Sequence, residues 1–296
     1  MAIWFYQQNS NQPPSPGAEN SGSGGAGGRM KVGSLFSGIG GIDLGLERAG
    51  MKVVWQVEKD AYCNKILERY WPDVERYGPI ESVDFNRATP VDILAGGDPC
   101  PIRSRARSNG ESRHPDLSGY FPRAVANVVP KWVLRENVPA PDAKEFQLGL
   151  ECLGYRTLNI EIDAASFTGQ QRIRHFIIGC HKTGQLFEIL RKGSWKIVKG
   201  NYSPRLGTRP VTPALTCHRT RYDSRDCYIY DGQTRILDGD ERQALAGFPP
   251  GWLDGLSERR IAIMTGNSVV PQVAEWIGRR IMEASTPTPG AAKCQR

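Results

Sequence analysis

The sequence predicts an α/β fold in which a parallel sheet carries its functional groups at the carboxyl ends of its strands. Three observations predict it. A strand, a glycine-rich turn and a helix follow one another over residues 32–50, an acidic side chain ends the next apolar run at Glu58, and two further apolar runs lead into polar segments at Cys100 and Glu136. Open α/β sheets bind their ligands at this edge. We therefore expect separate segments of the chain to build one functional rim.

The first strand, turn and helix have the pattern of a nucleotide-cofactor site. Residues 32–36 read as a strand, residues 37–41 form a Ser-Gly-Ile-Gly-Gly turn, and residues 42–50 show helical spacing with a terminal glycine. Small residues let a ligand approach the backbone, and a helix N-terminus offers amides. Glu58 follows the second strand, residues 53–57, where an acidic side chain binds a ribose diol. Together these signals favour cofactor binding over an incidental surface acid.

Residues 91–101 begin as a short apolar strand and end in a turn that carries Cys100. Two glycines, Asp98 and Pro99 mark the turn, and the chain beyond it is rich in arginine. A cysteine in such a place has two interpretations. It is either a small, inert, buried thiol or a nucleophile that nearby positive charge holds as the thiolate. The residues at the ends of the other predicted strands are needed to choose between these two interpretations.

Polar groups also follow the apolar strand of residues 131–134. Glu136 stands just beyond it, and parallel topology would place its carboxyl on the same rim as Cys100. The simpler interpretation is an Asn/Pro turn with an incidental acid. Further along, Arg172 and Arg174 alternate on one face as the chain enters a later strand, which an ordinary exposed basic edge would also explain.

The remaining periodicity completes the α/β pattern. Helices are predicted at residues 61–70, 120–129, 146–154 and 237–249, and strands at residues 156–162 and 176–180. A C-terminal helical segment over residues 261–283 has an apolar face that we expect to pack back on the first sheet.

Composition excludes several classes of protein. The chain has 296 residues and a net charge of +7, which is compatible with nucleic-acid binding. Its seven cysteines include no Cys-x-x-Cys pair and its four histidines are not spaced as metal ligands, so we expect reduced thiols, a cytoplasmic location and no metal. No apolar run approaches the roughly 20 residues of a membrane span, and the N-terminus lacks a secretory signal. We therefore expect no membrane partner.

Two segments depart from the α/β pattern. Residues 1–29 are rich in Gly, Ser, Pro and Asn and are predicted to be a disordered linker or tag, the alternative being a peptide whose aromatic head docks on a partner. Residues 182–235 hold eleven Lys and Arg against four Asp and Glu, a net charge of +7, with interleaved aromatics. Such a region is either a solvated face or a nucleic-acid surface.

These motifs, in this order, resemble those of the cytosine-5 DNA methyltransferases over about residues 30–283. The resemblance rests on residues 36–41, Glu58, the Pro99-Cys100 pair, residues 136–138, 171–174, 235–248 and 266–269. It implies a Rossmann-like S-adenosylmethionine-dependent methyltransferase domain with a small, irregular target-recognition domain. The expected division is a catalytic domain at 30–184, a target-recognition region at 185–260, a returning helix at 261–283 and a disordered tail at 284–296.

The resemblance also implies roles for single residues. Cys100 would be the nucleophile that attacks carbon 6 of cytosine, Glu136 would share a proton with ring nitrogen 3, and Arg172 or Arg174 would hold the exocyclic carbonyl. The implied S-adenosylmethionine contacts are Phe36, Ser37, Gly38, Gly40, Gly41, Glu58, Asn267, Ser268 and Val269. The implied contacts to double-stranded DNA are Arg103, Ser104, Arg105, Arg219 and Arg221.

The chain departs from the family pattern at three positions. Pro101 stands where the family usually has glutamine, Arg103 where it has an aromatic residue, and Pro79 where an acidic residue would contact adenine. Two other functions stay open: an RNA or modified-base transferase on the same scaffold, and a catalytically silent DNA-binding homologue. We expect a monomer from a prokaryotic or phage source.

Overall fold

The computed structural model describes residues 28–99, 117, 119–139, 142–181, 214–215, 227–230 and 233–286, with the backbone alone at 227–230 and 233–235. The strands are β1 Lys31–Leu35, β2 Lys52–Val57, β3 Glu75–Tyr77, β4 Ile93–Gly97, β5 Trp132–Asn137, β6 Tyr155–Asp163, β7 Ile173–His181, β8 Cys227–Tyr230 and β9 Gln233–Ile236. The helices are α1 Gly41–Arg48, α2 Ala61–Tyr70, α3 Tyr120–Val128, α4 Ala143–Cys152, α5 Gly239–Leu245, α6 Glu258–Asn267 and α7 Pro271–Ser285.

Seven of these strands form one sheet, in the order β3-β2-β1-β4-β5-β7-β6. The first five are parallel to one another, whereas β7 runs antiparallel to both β5 and β6. The strand order reverses between β1 and β4, and such a switch point opens a crevice at the carboxyl ends of the strands. The glycine turn after β1 and the turn that leads to Cys100 after β4 both begin at this crevice.

The two faces of the sheet are covered by two apolar clusters. Side chains of α1, α2, α6 and α7 pack on one face, and those of α3 and α4 pack on the other. Helix α7 lies against α1 so closely that a β-carbon on Gly278 would come within 2.8 Å of the Ala49 β-carbon. The Trp132 indole N–H donates to the Ser285 hydroxyl at 3.0 Å, which fixes the end of α7 to β5.

Strands β4 and β5 extend further than their apolar runs predict. We expected Gly96 and Gly97 in a turn and Glu136 beyond its strand, but Gly96 pairs with Arg135 and Gly97 pairs with Glu136. A β-carbon at Gly97 would lie 2.7 Å from Glu136 Oε2, which is too close. A glycine is therefore required for β4 to pair with β5 beside this carboxylate. The antiparallel β7 is the second difference, since the pattern predicted a parallel sheet.

The segment of residues 237–260 lies in the same core as the sheet, although we expected it in the target-recognition region. Leu237, Phe248 and Trp252 are buried in the cluster that also contains residues of α1 and α2. Trp252 stacks on Tyr70 with 3.6 Å between ring centroids. Phe248 and Trp252 are each 1% exposed, so they contribute to the core and not to an exposed surface.

The C-terminal segment forms two helices instead of one. Ser268 and Val270 are extended and break the run, and Pro271 then starts α7 at a position where its missing N–H is not needed. Ala284 is buried and lies in α7, so the described helix continues past residue 283. Within the described part of the chain, no helix is long and apolar enough to cross a membrane.

Candidate functional site

The glycine turn after β1 is a strained loop that Glu58 holds in place. Phe36, Gly38 and Gly40 have φ values of 52°, 57° and 80°, in the left-handed region. Phe36 has a β-carbon, and such residues persist there when the surroundings impose the conformation. The Gly38 N–H donates to Glu58 Oε2 at 2.8 Å, and the Asp60 N–H donates to Oε1 at 2.8 Å. The carboxylate of Glu58 therefore joins the turn to the end of β2.

A second segment, residues 266–269, closes the same crevice. A β-carbon on Gly41 would collide with the Val269 carbonyl oxygen, so this segment lies directly against the start of α1. The Ser268 hydroxyl donates to the Thr265 carbonyl at 3.1 Å, which turns the chain at the end of α6. The structure thus brings together the predicted cofactor residues of both segments.

These residues fit S-adenosylmethionine. A carboxylate accepts up to about four hydrogen bonds, so Glu58 keeps acceptor capacity for ribose hydroxyls beyond its two backbone donors. The turn at residues 36–41 bears three glycines, and its position at the N-terminus of α1 suits a polar, nucleoside-containing ligand.

Arg172 has a different partner from the one that we expected. Its Nη2 donates to the carbonyls of Gly266 at 3.1 Å and Ser268 at 2.9 Å, and its backbone N–H donates to Asp163 Oδ1 at 2.8 Å. The residue is 4% exposed, and carbonyls at the end of a helix need donors. Arg172 therefore holds the 266–269 segment in place.

Glu136 and Arg174 form the polar pair of the neighbouring strands. Arg174 Nε lies 3.2 Å from Glu136 Oε1, and the two side chains are 18% and 11% exposed. Burial raises the pKa of Glu136, although the guanidinium groups of Arg174 and Arg172 lower it. A carboxyl with a raised pKa next to a cation is suited to share a proton with a bound ligand.

Sequence reasoning missed a buried ion pair beside this site. Arg135 Nε donates to Asp98 Oδ1 at 2.5 Å and Arg135 Nη2 donates to Asp98 Oδ2 at 2.7 Å. Both side chains are 2% exposed. It also missed Trp252, whose indole N–H donates to the Ile39 carbonyl of the glycine turn at 3.0 Å. An Asp before a Pro and an Arg inside a strand were the available signals for the ion pair.

Several predicted site residues lie outside the described part of the chain. They are Cys100, Arg103, Ser104, Arg105, Arg219 and Arg221. The neighbouring Pro99 is described and exposed at the carboxyl end of β4. Among the described residues, no group of three or more His, Cys, Asp and Glu side chains could hold a metal ion.

A fully buried acid, Asp43, lies in the first turn of α1 behind the glycine turn. Burial raises its pKa to about 7; the Ser34 hydroxyl lowers it, and the charges of Glu47 and Glu58 raise it further. The unfolded side chain titrates near about 3.9. Between these values the folded chain keeps a proton that the unfolded chain has lost, so the free energy of unfolding falls as the pH rises to about 7 and then levels off.

Replacing Asp43 with asparagine should remove this loss of stability. A difference of about three pKa units corresponds to at most about 4 kcal/mol, so Asp43→Asn should be more stable than the wild type at pH 8 by up to that amount, with a smaller gain near pH 5. Urea unfolding at both pH values measures it. The exposed Asp73→Asn is the matched control and should leave the pH dependence unchanged. An Asp43→Asn curve parallel to that of the wild type would contradict the assignment.

The family model for C-5 cytosine-specific DNA methylase matches residues 30–203, more than half of the chain. The chain belongs to this family. The family and the fold predicted from the sequence are confirmed. Its methylases are S-adenosylmethionine-dependent, so the predicted cofactor is confirmed as well.

Relatives extend the match beyond that segment. Type II methyltransferase M.NgoBI of Neisseria gonorrhoeae is 31% identical over 285 residues, which cover 81% of this chain and 89% of the relative. Type II methyltransferase M.PspPI of a Psychrobacter species is 37% identical over 160 residues, 49% of this chain; the chain spans only 38% of that relative. The structure of S. pombe Dnmt2 methyltransferase superposes with a TM-score of 0.60 at 15% identity, covering 87% of this chain and all of that one. The last match supports the methylase fold alone.

Proposed function

We propose that this methylase is a DNA (cytosine-5-)-methyltransferase acting on a cytosine flipped out of double-stranded DNA, with Cys100 as its nucleophile. One observation carries the proposal. The Glu58-bound glycine turn follows β1 and the segment toward Cys100 follows β4, the two strands that flank the switch point. The Glu136–Arg174 pair lies on the next two strands, β5 and β7. This arrangement supports a cofactor crevice next to a proton-sharing carboxyl.

The proposed reaction uses each group for one task. The Cys100 thiolate adds to carbon 6 of cytosine, which makes carbon 5 electron-rich. When bound, S-adenosylmethionine would supply the methyl group as an electrophilic sulfonium and would leave as the neutral thioether S-adenosylhomocysteine. Glu136 shares a proton with ring nitrogen 3, and Arg174 stabilises the negative charge that develops on the ring. After methylation, the nitrogen 3 proton returns to Glu136. A water molecule then takes the carbon 5 proton, whose bonding electrons re-form the double bond between carbons 5 and 6 and expel the Cys100 thiolate, which releases the methylated base.

The cofactor would be held by the two segments at the crevice. Glu58 would accept hydrogen bonds from the ribose, and the glycine turn would let the ligand approach its backbone. Arg172 would act indirectly, because it fixes the 266–269 segment. The proposed contacts are Phe36, Ser37, Gly38, Gly40, Gly41, Glu58, Asn267, Ser268 and Val269.

DNA binding is assigned to the basic segments. Extruding the base costs a few kcal/mol, which contacts to phosphates and to the orphaned partner base must offset. Arg103, Ser104, Arg105, Arg219 and Arg221 are the proposed contacts, and residues 182–235 supply the positive charge. We place the target-recognition function there, in a monomer from a prokaryotic or phage source. A cytoplasmic location and a role in restriction-modification fit the bacterial Type II relatives.

Methyl transfer to two kinds of acceptor tests the proposal. Labelled methyl should pass from S-adenosylmethionine to duplex DNA and not to structured RNA, and bisulfite sequencing should locate it on cytosine. Duplex DNA containing 5-fluorocytosine should form a covalent complex that survives denaturation. Transfer to RNA alone would replace the proposed substrate. Absence of both transfer and adduct would leave a DNA-binding homologue without activity.

A further inference from the structure

The Arg135–Asp98 ion pair fixes the polypeptide immediately before the proposed nucleophile. Asp98 follows β4 and stands two residues before Cys100. Its carboxylate receives two hydrogen bonds from the Arg135 guanidinium, and its carbonyl accepts a weaker one from Asn137 Nδ2 at 3.4 Å. Both the side chain and the backbone of Asp98 are therefore bound to the adjacent strand β5.

Arg135 is itself held from three sides. Its Nη2 also donates to Asp142 Oδ2 at 3.0 Å, at the start of α4. Its guanidinium carbon lies 4.3 Å from the ring centroid of Phe146, one turn further along α4. Burial would lower the pKa of Arg135, but Asp98 and Asp142 raise it above its ordinary value. The cation is thus rigid, charged and attached to an element outside the sheet.

Stability alone gives a weak reason for such an arrangement. Removing two charges from water opposes their attraction, so a buried ion pair often stabilises a fold no better than apolar side chains of similar size. What a bidentate Arg–carboxylate pair does provide is a fixed distance and orientation. In this chain the ion pair fixes Asp98, and the backbone continues from Asp98 to Cys100.

The charge of Asp98 gives Arg135 a second task. A carboxylate two residues from a cysteine disfavours the thiolate unless a cation compensates it. With both members present, the pair is neutral and the loop keeps its anchor. Arg135 without Asp98 would have no bidentate partner, and Asp98 without Arg135 would be a buried, uncompensated anion.

We propose that Arg135 and Asp98 are positioning residues for the methyl-transfer reaction. Their ion pair holds the chain before Cys100, and Arg135 compensates the negative charge of Asp98, two residues before the cysteine. The proposal rests on the proposed function of Cys100. It concerns the rate of thiolate addition and not the affinity for DNA or cofactor. The hydrogen bonds described above for the pair join the residue after β4, strand β5 and the start of α4, and none of them involves the glycine turn.

A pair of single variants and their combination test it. Arg135→Gln should slow single-turnover adduct formation on 5-fluorocytosine duplex DNA by about 10- to 100-fold. The KM for DNA and the affinity for S-adenosylmethionine, measured by calorimetry, should stay within about threefold of the wild type. Adding Asp98→Asn to Arg135→Gln should restore the rate only in part, by at least about threefold, because the uncompensated anion is removed while the anchor stays lost.

The controls separate positioning from folding. Arg279→Gln removes an exposed arginine that lies 2.6 Å from Glu275 on α7, and it should leave adduct formation unchanged. Thermal unfolding of each variant reports stability. A double variant no faster than Arg135→Gln, or losses of rate that follow the thermal midpoints, would overturn the proposal. Absence of any adduct with the wild type would instead refute the proposed function.

Discussion

Cys100→Ser is expected to abolish methyl transfer to DNA, reducing it by about 10³-fold or more. A serine hydroxyl has nearly the size of a thiol but stays protonated far above neutral pH, so it cannot add to carbon 6 of cytosine at a comparable rate. DNA binding should persist, because the substitution changes no charge among the basic residues. Transfer of labelled methyl and formation of the 5-fluorocytosine adduct measure the two steps separately.

Cys152→Ser is the matched control for this substitution. Cys152 is exposed at the end of α4, the helix that leads into the edge strand β6. The switch point lies between β1 and β4, so replacing Cys152 should leave transfer unchanged. Peptide mapping of the adduct should identify residue 100 as the attached position. Equal transfer by the wild type and Cys100→Ser would remove the nucleophile assignment and leave only the fold.

Local patterns predicted the elements that local physics determines. Helix α2 has the predicted bounds of residues 61–70 because Asp60 caps its first amides at 2.8 and 3.0 Å and Pro72 follows its end. The sequence could link Glu58 to the glycine turn because the two are close along the chain. The resulting contact, from the Gly38 N–H to the Glu58 carboxylate, spans 20 residues.

Contacts between distant segments left no such pattern. The Asp98–Arg135 pair joins residues 37 positions apart, and the Trp252–Ile39 hydrogen bond joins residues 213 apart. The motif predicted that Arg172 or Arg174 holds the base, and it gave no sign that Arg172 also donates to the carbonyls of residues 266 and 268. Antiparallel β7 was also missed, since buried parallel and antiparallel strands share the same apolar composition.

Glu136→Gln should reduce the turnover rate by about 10²- to 10⁴-fold, the usual contribution of a positioned acid or base. Glutamine has nearly the same size as the Glu136 side chain, which lies close to Gly97 on the neighbouring strand. The pairing of β4 with β5 should therefore remain. Glutamine can still donate a hydrogen bond to ring nitrogen 3, but it cannot transfer a proton or carry the charge that Arg174 faces. The affinity for S-adenosylmethionine should change little, because Glu58 lies after a different strand, β2.

Steady-state kinetics on duplex DNA distinguish this role from a structural one. A fall in kcat with thermal stability unchanged or raised supports proton sharing, since burial disfavours the ionised Glu136 that the variant removes. Glu161→Gln is the matched control: Glu161 is half-exposed on β6, 3.1 Å from His175, and its loss should leave kcat unaltered. If Glu136→Gln kept the wild-type kcat, the developing charge on the ring would have to be stabilised by Arg174 alone, and the carboxyl would serve only to orient that arginine.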